Sequence, residues 1–140
     1  MYEYSCKINK VLDGDTVDID LDLGFNIVLA NQRVRMAGVD TPESRTTNAE
    51  EKPRGLLSKK KLTEKLSVGN CKIRTFKSDN NDDKFGRILG EFILEDGTNV
   101  NKWLIENNYA VGYQGENKDL VQEQHQKNKA ILIARGELKG

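Results

Sequence analysis

Asp40-Thr41-Pro42-Glu43 sets two oxygen-donor carboxylates around a proline, directly after an apolar, strand-like run that carries Arg35. Pro42 fixes its own φ and pushes Thr41 towards an extended backbone, so the flanking carboxylates project in a reproducible relation. A turn of that kind can hold a cation, and an arginine beside it suits a phosphodiester. Upstream, Asp13-Gly14-Asp15-Thr16 separates two further strand-like runs and offers Asp15 as another carboxylate. Downstream, Asp83-Lys84-Phe85-Gly86-Arg87 places a second arginine at the start of the apolar run Ile88 to Leu94. Taken singly, Asp-Gly and Asp-Thr-Pro are ordinary turn sequences. The chemistry is carried by their occurring together and in this order.

The segments VLDGDTVDID, VRMAGVDTPES and DDKFGRILGEF resemble, in that order, the staphylococcal nuclease (thermonuclease) family, and the resemblance runs from about Ile8 to the helix around His125. It implies a calcium ion held by Asp15, Asp40 and the backbone carbonyl of Thr41. Calcium takes oxygen ligands in flexible geometry, so two carboxylates and a carbonyl leave positions for water and a phosphate oxygen. The resemblance assigns Glu43 as general base or positioner of the attacking water. It assigns Arg35 and Arg87 to the equatorial oxygens of the scissile phosphate. Arginine suits that task because its planar fork donates two parallel hydrogen bonds and stays charged. Each arginine could instead pair with an exposed glutamate and contribute little. Lys84 is matched to a contact with a terminal phosphate and Tyr113 to a contact near the base, core packing being the other reading of Tyr113. The implied reaction is endonucleolytic hydrolysis of DNA and RNA to 3′-phosphate ends. Single strands are the expected preferred substrate, and no obligate protein partner is implied.

Two positions depart from the family pattern. Phe85 stands where a tyrosine is usual, which keeps the ring and loses a hydroxyl that can donate to a terminal phosphate. Gly115 replaces a second tyrosine, removing part of a stacking surface worth ~1–3 kcal/mol per base. The alternative function is a module of the same fold that binds nucleic acid or protein without cutting. Inert modules have lost some of the metal or arginine positions, whereas Asp15, Arg35, Asp40, Glu43 and Arg87 are all present.

Length and charge bound these readings. A chain of 140 residues makes one domain, spanning 1–140, with enough chain for a core. Net charge is zero, which argues mildly against a high-affinity, non-specific coat protein. Asp13, Asp15, Asp18, Asp20 and Asp22 crowd the first hairpin, while Lys52, Arg54, Lys59, Lys60, Lys61 and Lys65 crowd a later stretch. That stretch is either a phosphate-attracting flank or the solvated face of a helix. No run is apolar and long enough to span a membrane, and the first residues lack the apolar core of a secretory signal. A cytoplasmic location is therefore expected, and the scarcity of free calcium there would be eased by a viral or mobile-element origin. Cys6 and Cys71 form no disulfide framework and fall, by the resemblance, on neighbouring strands. A cross-strand bridge is conceivable, and two free, small core residues are the adopted reading. The single histidine, His125, excludes nucleases built on a histidine pair. On a lysine- and glutamine-rich helix it is expected to be a partly exposed or capping side chain.

The elements that must position these groups follow from periodicity. Tyr4 to Leu12, Thr16 to Leu23 and Ile27 to Gly38 alternate or cluster in β-formers and predict a three-stranded meander. A polar loop from Glu43 to Pro53 is expected beside the site. Leu56, Leu57, Leu62 and Leu66 predict a helix from Pro53 to Leu66. Lys72 to Phe76 and Arg87 to Leu94 read as strands. Helices are expected from Val100 to Glu106, with Trp103 in the core, and from Lys118 to Ala134, ended by Gly136. The family resemblance implies the corresponding α+β architecture, mainly a β barrel: a five-stranded OB-fold with three helices. The family's customary tryptophan near the C-terminus is absent, which predicts a less firmly docked end.

Overall fold

The computed structural model of the chain describes residues 2–67, 70–76, 88–113 and 118–138. Strand β1 spans Tyr2–Asp13, β2 Thr16–Gly24, β3 Ile27–Met36, β5 Asn70–Phe76 and β6 Ile88–Ile93. They close into a barrel in the order β1-β2-β3-β6-β5, every pair antiparallel except β3 with β6. Two-residue strands β4 (Val39–Asp40) and β7 (Val111–Gly112) pair separately. Helices α1 (Glu51–Leu66), α2 (Val100–Glu106) and α3 (Lys118–Ala134) complete the α+β fold, a five-stranded OB-type barrel with three helices.

Alternation drives the barrel. In β2, Val17, Ile19 and Leu21 are buried, while the intervening Asp18, Asp20 and Asp22 are at least partly open to solvent. Successive side chains of a strand point to opposite faces, so this pattern fixes register. Val34, Met36, Ile73 and Phe92 fill the interior from the other strands. Phe25 and Asn26, both at positive φ, form the two-residue turn between β2 and β3, following Gly24 at φ +83. Positive φ at both central residues is the requirement of a type I′ hairpin turn.

Cys6 and Cys71 face each other across β1 and β5 as buried free thiols, their sulfurs 3.4 Å apart. The hydrogen bond between them, with burial, pushes the Cys6 thiol well above its usual range.

Three local expectations are corrected. In α1 the buried stripe is Arg54, Ser58, Leu62 and Leu66, with Gly55 beside it, whereas Leu56 is exposed. Residues four apart share a helix face, so Leu56 falls off the stripe that its neighbours define. Trp103 is only partly buried, packed against the core and covered by Lys65, whose ammonium lies 4.7 Å from the ring centroid. The end of the chain is docked without a tryptophan. Leu132 is buried, Leu138 packs on the core, and the Tyr109 hydroxyl bonds both oxygens of Glu137 at 2.7 and 2.8 Å. Burial and that carboxylate push the Tyr109 phenol up to about 12. Among the described residues, no helix is long and apolar enough to cross a membrane.

Candidate functional site

The turn between β1 and β2 brings Asp15 beside the DTPE segment because Gly14 allows a close approach. A Cβ at position 14 would lie 2.8 Å from the Ser58 Cβ and 3.0 Å from the Thr41 hydroxyl. Asp15 accepts from the Thr16 hydroxyl on one oxygen, at 3.0 Å, and from the Thr41 N–H on the other, at 3.3 Å. Thr16 lies opposite Arg35 in the β2–β3 ladder. That register puts the Arg35 guanidinium 3.5 Å from the same Asp15 oxygen.

Arg35 also shapes the chain that follows it. Its guanidinium donates to the carbonyls of Met36 and Val39, each at 2.8 Å, across the reversal made by Gly38 at φ +74. The exposed-glutamate reading of Arg35 is therefore excluded: its partners are two backbone carbonyls and the site aspartates. The reversal delivers Asp40 on β4, with its carboxylate 3.9 Å from the Arg35 nitrogen that also faces Asp15. Pairing of Asp40 with Val111 and the Tyr113 N–H bond to the Gly38 carbonyl, 2.8 Å, hold β4 from the other side.

Thr41 and Pro42 are buried and Glu43 is exposed at the rim. Among the described residues, the Thr41 hydroxyl is the one buried side-chain oxygen or nitrogen without a hydrogen-bond partner. Buried polar groups are otherwise almost always satisfied, which sets this oxygen apart from the other buried polar side-chain atoms described. Glu43 is fixed by its backbone. Its N–H donates to Glu51 at 2.9 Å, and the next residue, Ser44, bonds the Asp13 carboxylate through both its N–H (3.0 Å) and its hydroxyl. Gly55 of α1 packs directly on this peptide: a Cβ there would sit 2.1 Å from the Glu43 carbonyl oxygen.

These groups surround one open cavity of about 390 Å³, whose lining includes Asp13, Asp15, Asp40 and Glu43 together with Arg33, Arg35 and Arg45. Four carboxylates and three guanidiniums around one cavity can hold a cation and an anion side by side. The structure thus brings together Asp15, Arg35, Asp40, Thr41 and Glu43 of the residues expected from sequence. Tyr113 is not among the cavity's lining residues. Arg87 and Lys84 lie outside the described residues, as do Phe85 and Gly115. No group of three or more His, Cys, Asp or Glu side chains suited to a metal occurs among the described residues. The lysines of α1 do not line the cavity, and Lys61 and Lys65 instead lie over the Tyr109 and Trp103 rings.

His125 is corrected most sharply. It is 3 % exposed, neither partly exposed nor capping, and its Nε2 lies 2.8 Å from an oxygen of Asp40. No short-range pattern signals this contact, which joins residues 85 positions apart. Arg33 and Arg45 were likewise missed, because each reads as an isolated surface arginine.

The chain spans 11 to 65 % of the length of the curated relatives it matches. It is 32 % identical over 143 residues to Endonuclease YhcR of Bacillus subtilis (strain 168), covering 99 % of this chain and 11 % of that protein. It is 35 % identical over 96 residues to the Thermonuclease of Staphylococcus intermedius, covering 66 % of this chain and 50 % of the relative. It is 30 % identical over 122 residues to the Succinoglycan biosynthesis protein ExoI of Rhizobium meliloti (strain 1021), covering 86 % and 59 %. The family described as staphylococcal nuclease homologue matches residues 33–140, which take in Arg35 and the whole DTPE segment, and with a barrel of the same architecture the chain belongs to that family.

Proposed function

We propose that this chain is a calcium-dependent endonuclease domain that hydrolyses phosphodiester bonds of DNA and RNA, single strands preferred, to 3′-phosphate ends. The observation that carries the reading is Arg35 lying 3.5 and 3.9 Å from two carboxylates, Asp15 and Asp40, on the wall of one open cavity with Glu43 at its rim. The donor set fits a hard cation. Asp15, Asp40 and the Thr41 carbonyl are all oxygen donors, and the unpartnered Thr41 hydroxyl lies in the same segment. These three residues would hold the ion, which when bound supplies Lewis-acid stabilisation of phosphoryl charge.

The protein's own groups account for the rest. Glu43, exposed but fixed through its peptide, orients a water and accepts its proton as the water attacks phosphorus; the bond from phosphorus to the 5′ oxygen breaks, and that oxygen leaves as a hydroxyl after taking a proton from solvent. Arg35 donates to the equatorial oxygens and neutralises the charge that builds on them. Its guanidinium is already held by two carbonyls, so little reorganisation accompanies the reaction. Arg87 acts as the second such arginine and Lys84 contacts a terminal phosphate, both carried from the family resemblance. Tyr113 contacts the base or packs.

A second reading, a module that binds without cutting, is favoured by one relative: ExoI is named for succinoglycan biosynthesis, not for nuclease activity. Digestion of single-stranded DNA with calcium, with magnesium and with chelator separates the two. Cleavage that needs calcium and collapses in Glu43→Ala and Arg35→Ala is expected. Binding without cleavage under every metal would establish the inert module instead.

A further inference from the structure

We propose that His125 is a positioning residue for Asp40, holding one carboxylate oxygen on α3 so that the other stays turned to the cavity and its cation; this rests on Asp40 being a metal ligand. The side chain of Asp40, unlike its backbone, is otherwise weakly constrained. It ends a two-residue strand, its side chain is 32 % exposed, and its other oxygen approaches Arg35 only to 3.9 Å. An ionised carboxylate accepts hydrogen bonds and cannot donate, so the 2.8 Å contact is a donation from the His125 Nε2–H to the Asp40 Oδ2. That bond restrains rotation about the last side-chain torsion of Asp40 and leaves Oδ1 directed towards Arg35.

The histidine is itself fixed independently of Asp40. Its neighbours on α3 bind elsewhere: Asn128 donates to the Ala110 carbonyl at 3.3 Å, and Gln126 and Lys129 donate to Glu50 at 3.0 and 3.1 Å. Glu50 immediately precedes α1, whose Glu51 accepts the Glu43 N–H. The same face of α3 therefore supports Asp40 directly and the segment setting Glu43 through Glu50. Hydrogen-bonded partners of metal ligands orient those ligands, and their removal typically costs about 10–100-fold in metal affinity.

Calorimetric titration of calcium into the unsubstituted chain, His125→Leu and His125→Gln tests this, with thermal melting in chelator run alongside. Calcium affinity is expected to fall about 10–100-fold in His125→Leu. It should recover most of the way in His125→Gln, whose amide can place an N–H near the position of Nε2. Unchanged affinity in His125→Leu would overturn the positioning role and leave the calcium reading standing. Equal weakening in folded His125→Gln and His125→Leu would also overturn it, because the histidine would then act by shape alone. Should His125→Leu fail to fold, His125→Gln decides: near-native affinity supports the role, and a loss of tenfold or more overturns it. Absence of calcium binding by the unsubstituted chain overturns the calcium reading and this inference together.

Discussion

The first hairpin carries five aspartates, and those lining the cavity, Asp13 and Asp15, differ in surroundings from Asp18, Asp20 and Asp22 at the outer end. At the outer end each has a hydrogen-bond partner, and none of the three lines the cavity. Asp18 takes Arg33 through two contacts at 2.9 and 3.3 Å, and Asp22 accepts the Gly24 N–H at 2.8 Å. Asp20 accepts the Asn31 N–H and the Asn9 amide, which together hold its carboxyl below the usual carboxylate range. At the inner end Ser44 bonds Asp13, while Asp15 accepts at 3.0 and 3.3 Å from Thr16 and Thr41 and shares a guanidinium, 3.5 Å away, with Asp40 around an open cavity. Carboxylates partnered along the outer strand support local structure, whereas Asp15, lining an open cavity with Asp40 and a shared guanidinium, keeps coordination capacity for a ligand. Identical residue types a few positions apart thus divide between structure and chemistry by what surrounds them.

The sharpest way to break that contrast is to remove one charge from each end. Asp15→Asn is expected to lower nuclease activity on the order of 100-fold or more, because it removes charge aimed at the cation, while melting in chelator changes little. Asp18→Asn should do the reverse: activity within about twofold, and only a small loss of stability from an exposed ion pair. Paired assays and melts on both variants check this, and equal activity losses would erase the division.

The glycines offer a second contrast. A methyl at Gly55 meets the Glu43 peptide at 2.1 Å, whereas nothing lies within 4 Å of one at Gly24, whose difficulty is only its φ of +83. Gly55→Ala is expected to cost about 1–3 kcal/mol by overpacking and to lower activity as Glu43 shifts. Gly24→Ala should cost about 1 kcal/mol with activity intact. Denaturant unfolding and turnover measured together distinguish them.

Smaller effects belong to the hairpin tip. Phe25 is 97 % exposed at φ +54, so its ring gains little burial while its backbone is strained. Phe25→Asn is expected to raise stability by about 0.5–1 kcal/mol, read as a higher melting temperature. Asp20 gives the smallest. Its carboxyl is depressed in the folded chain, so its contribution is present above the ordinary value of 3.8 and is lost as pH falls through the folded value. Asp20→Asn should flatten the acid limb of stability measured by denaturant titration, without altering the neutral-pH fold.

Much of the site was legible because it is local. Asp15, Arg35, Asp40, Thr41 and Glu43 lie in two short motifs whose turn chemistry is set by Gly14, Gly38 and Pro42, and the structure gathers all five. The barrel strands were legible from alternation. What escaped was non-local or short. Strands β4 and β7 have two residues each, too few for a period, and exist because each pairs with the other. Leu56 looked like part of a helical stripe until the packing of Gly55 on Glu43 fixed which face of α1 turns inward. His125, read as a surface residue on a polar helix, is buried because α3 lays it against Asp40.

By itself the sequence determined the inventory of chemistry and the local conformations that carry it: oxygen donors on stiff turns, arginines beside apolar strands, and alternation that predicts the strands. These follow from backbone sterics and side-chain period, which act over a few residues. Only the tertiary structure decided which aspartates line the cavity and which do not, how closely α1 presses on Glu43, and that a histidine from the last helix lies against Asp40. Those outcomes depend on distances between residues remote along the chain, and such distances are fixed only when the barrel closes and the helices dock on it.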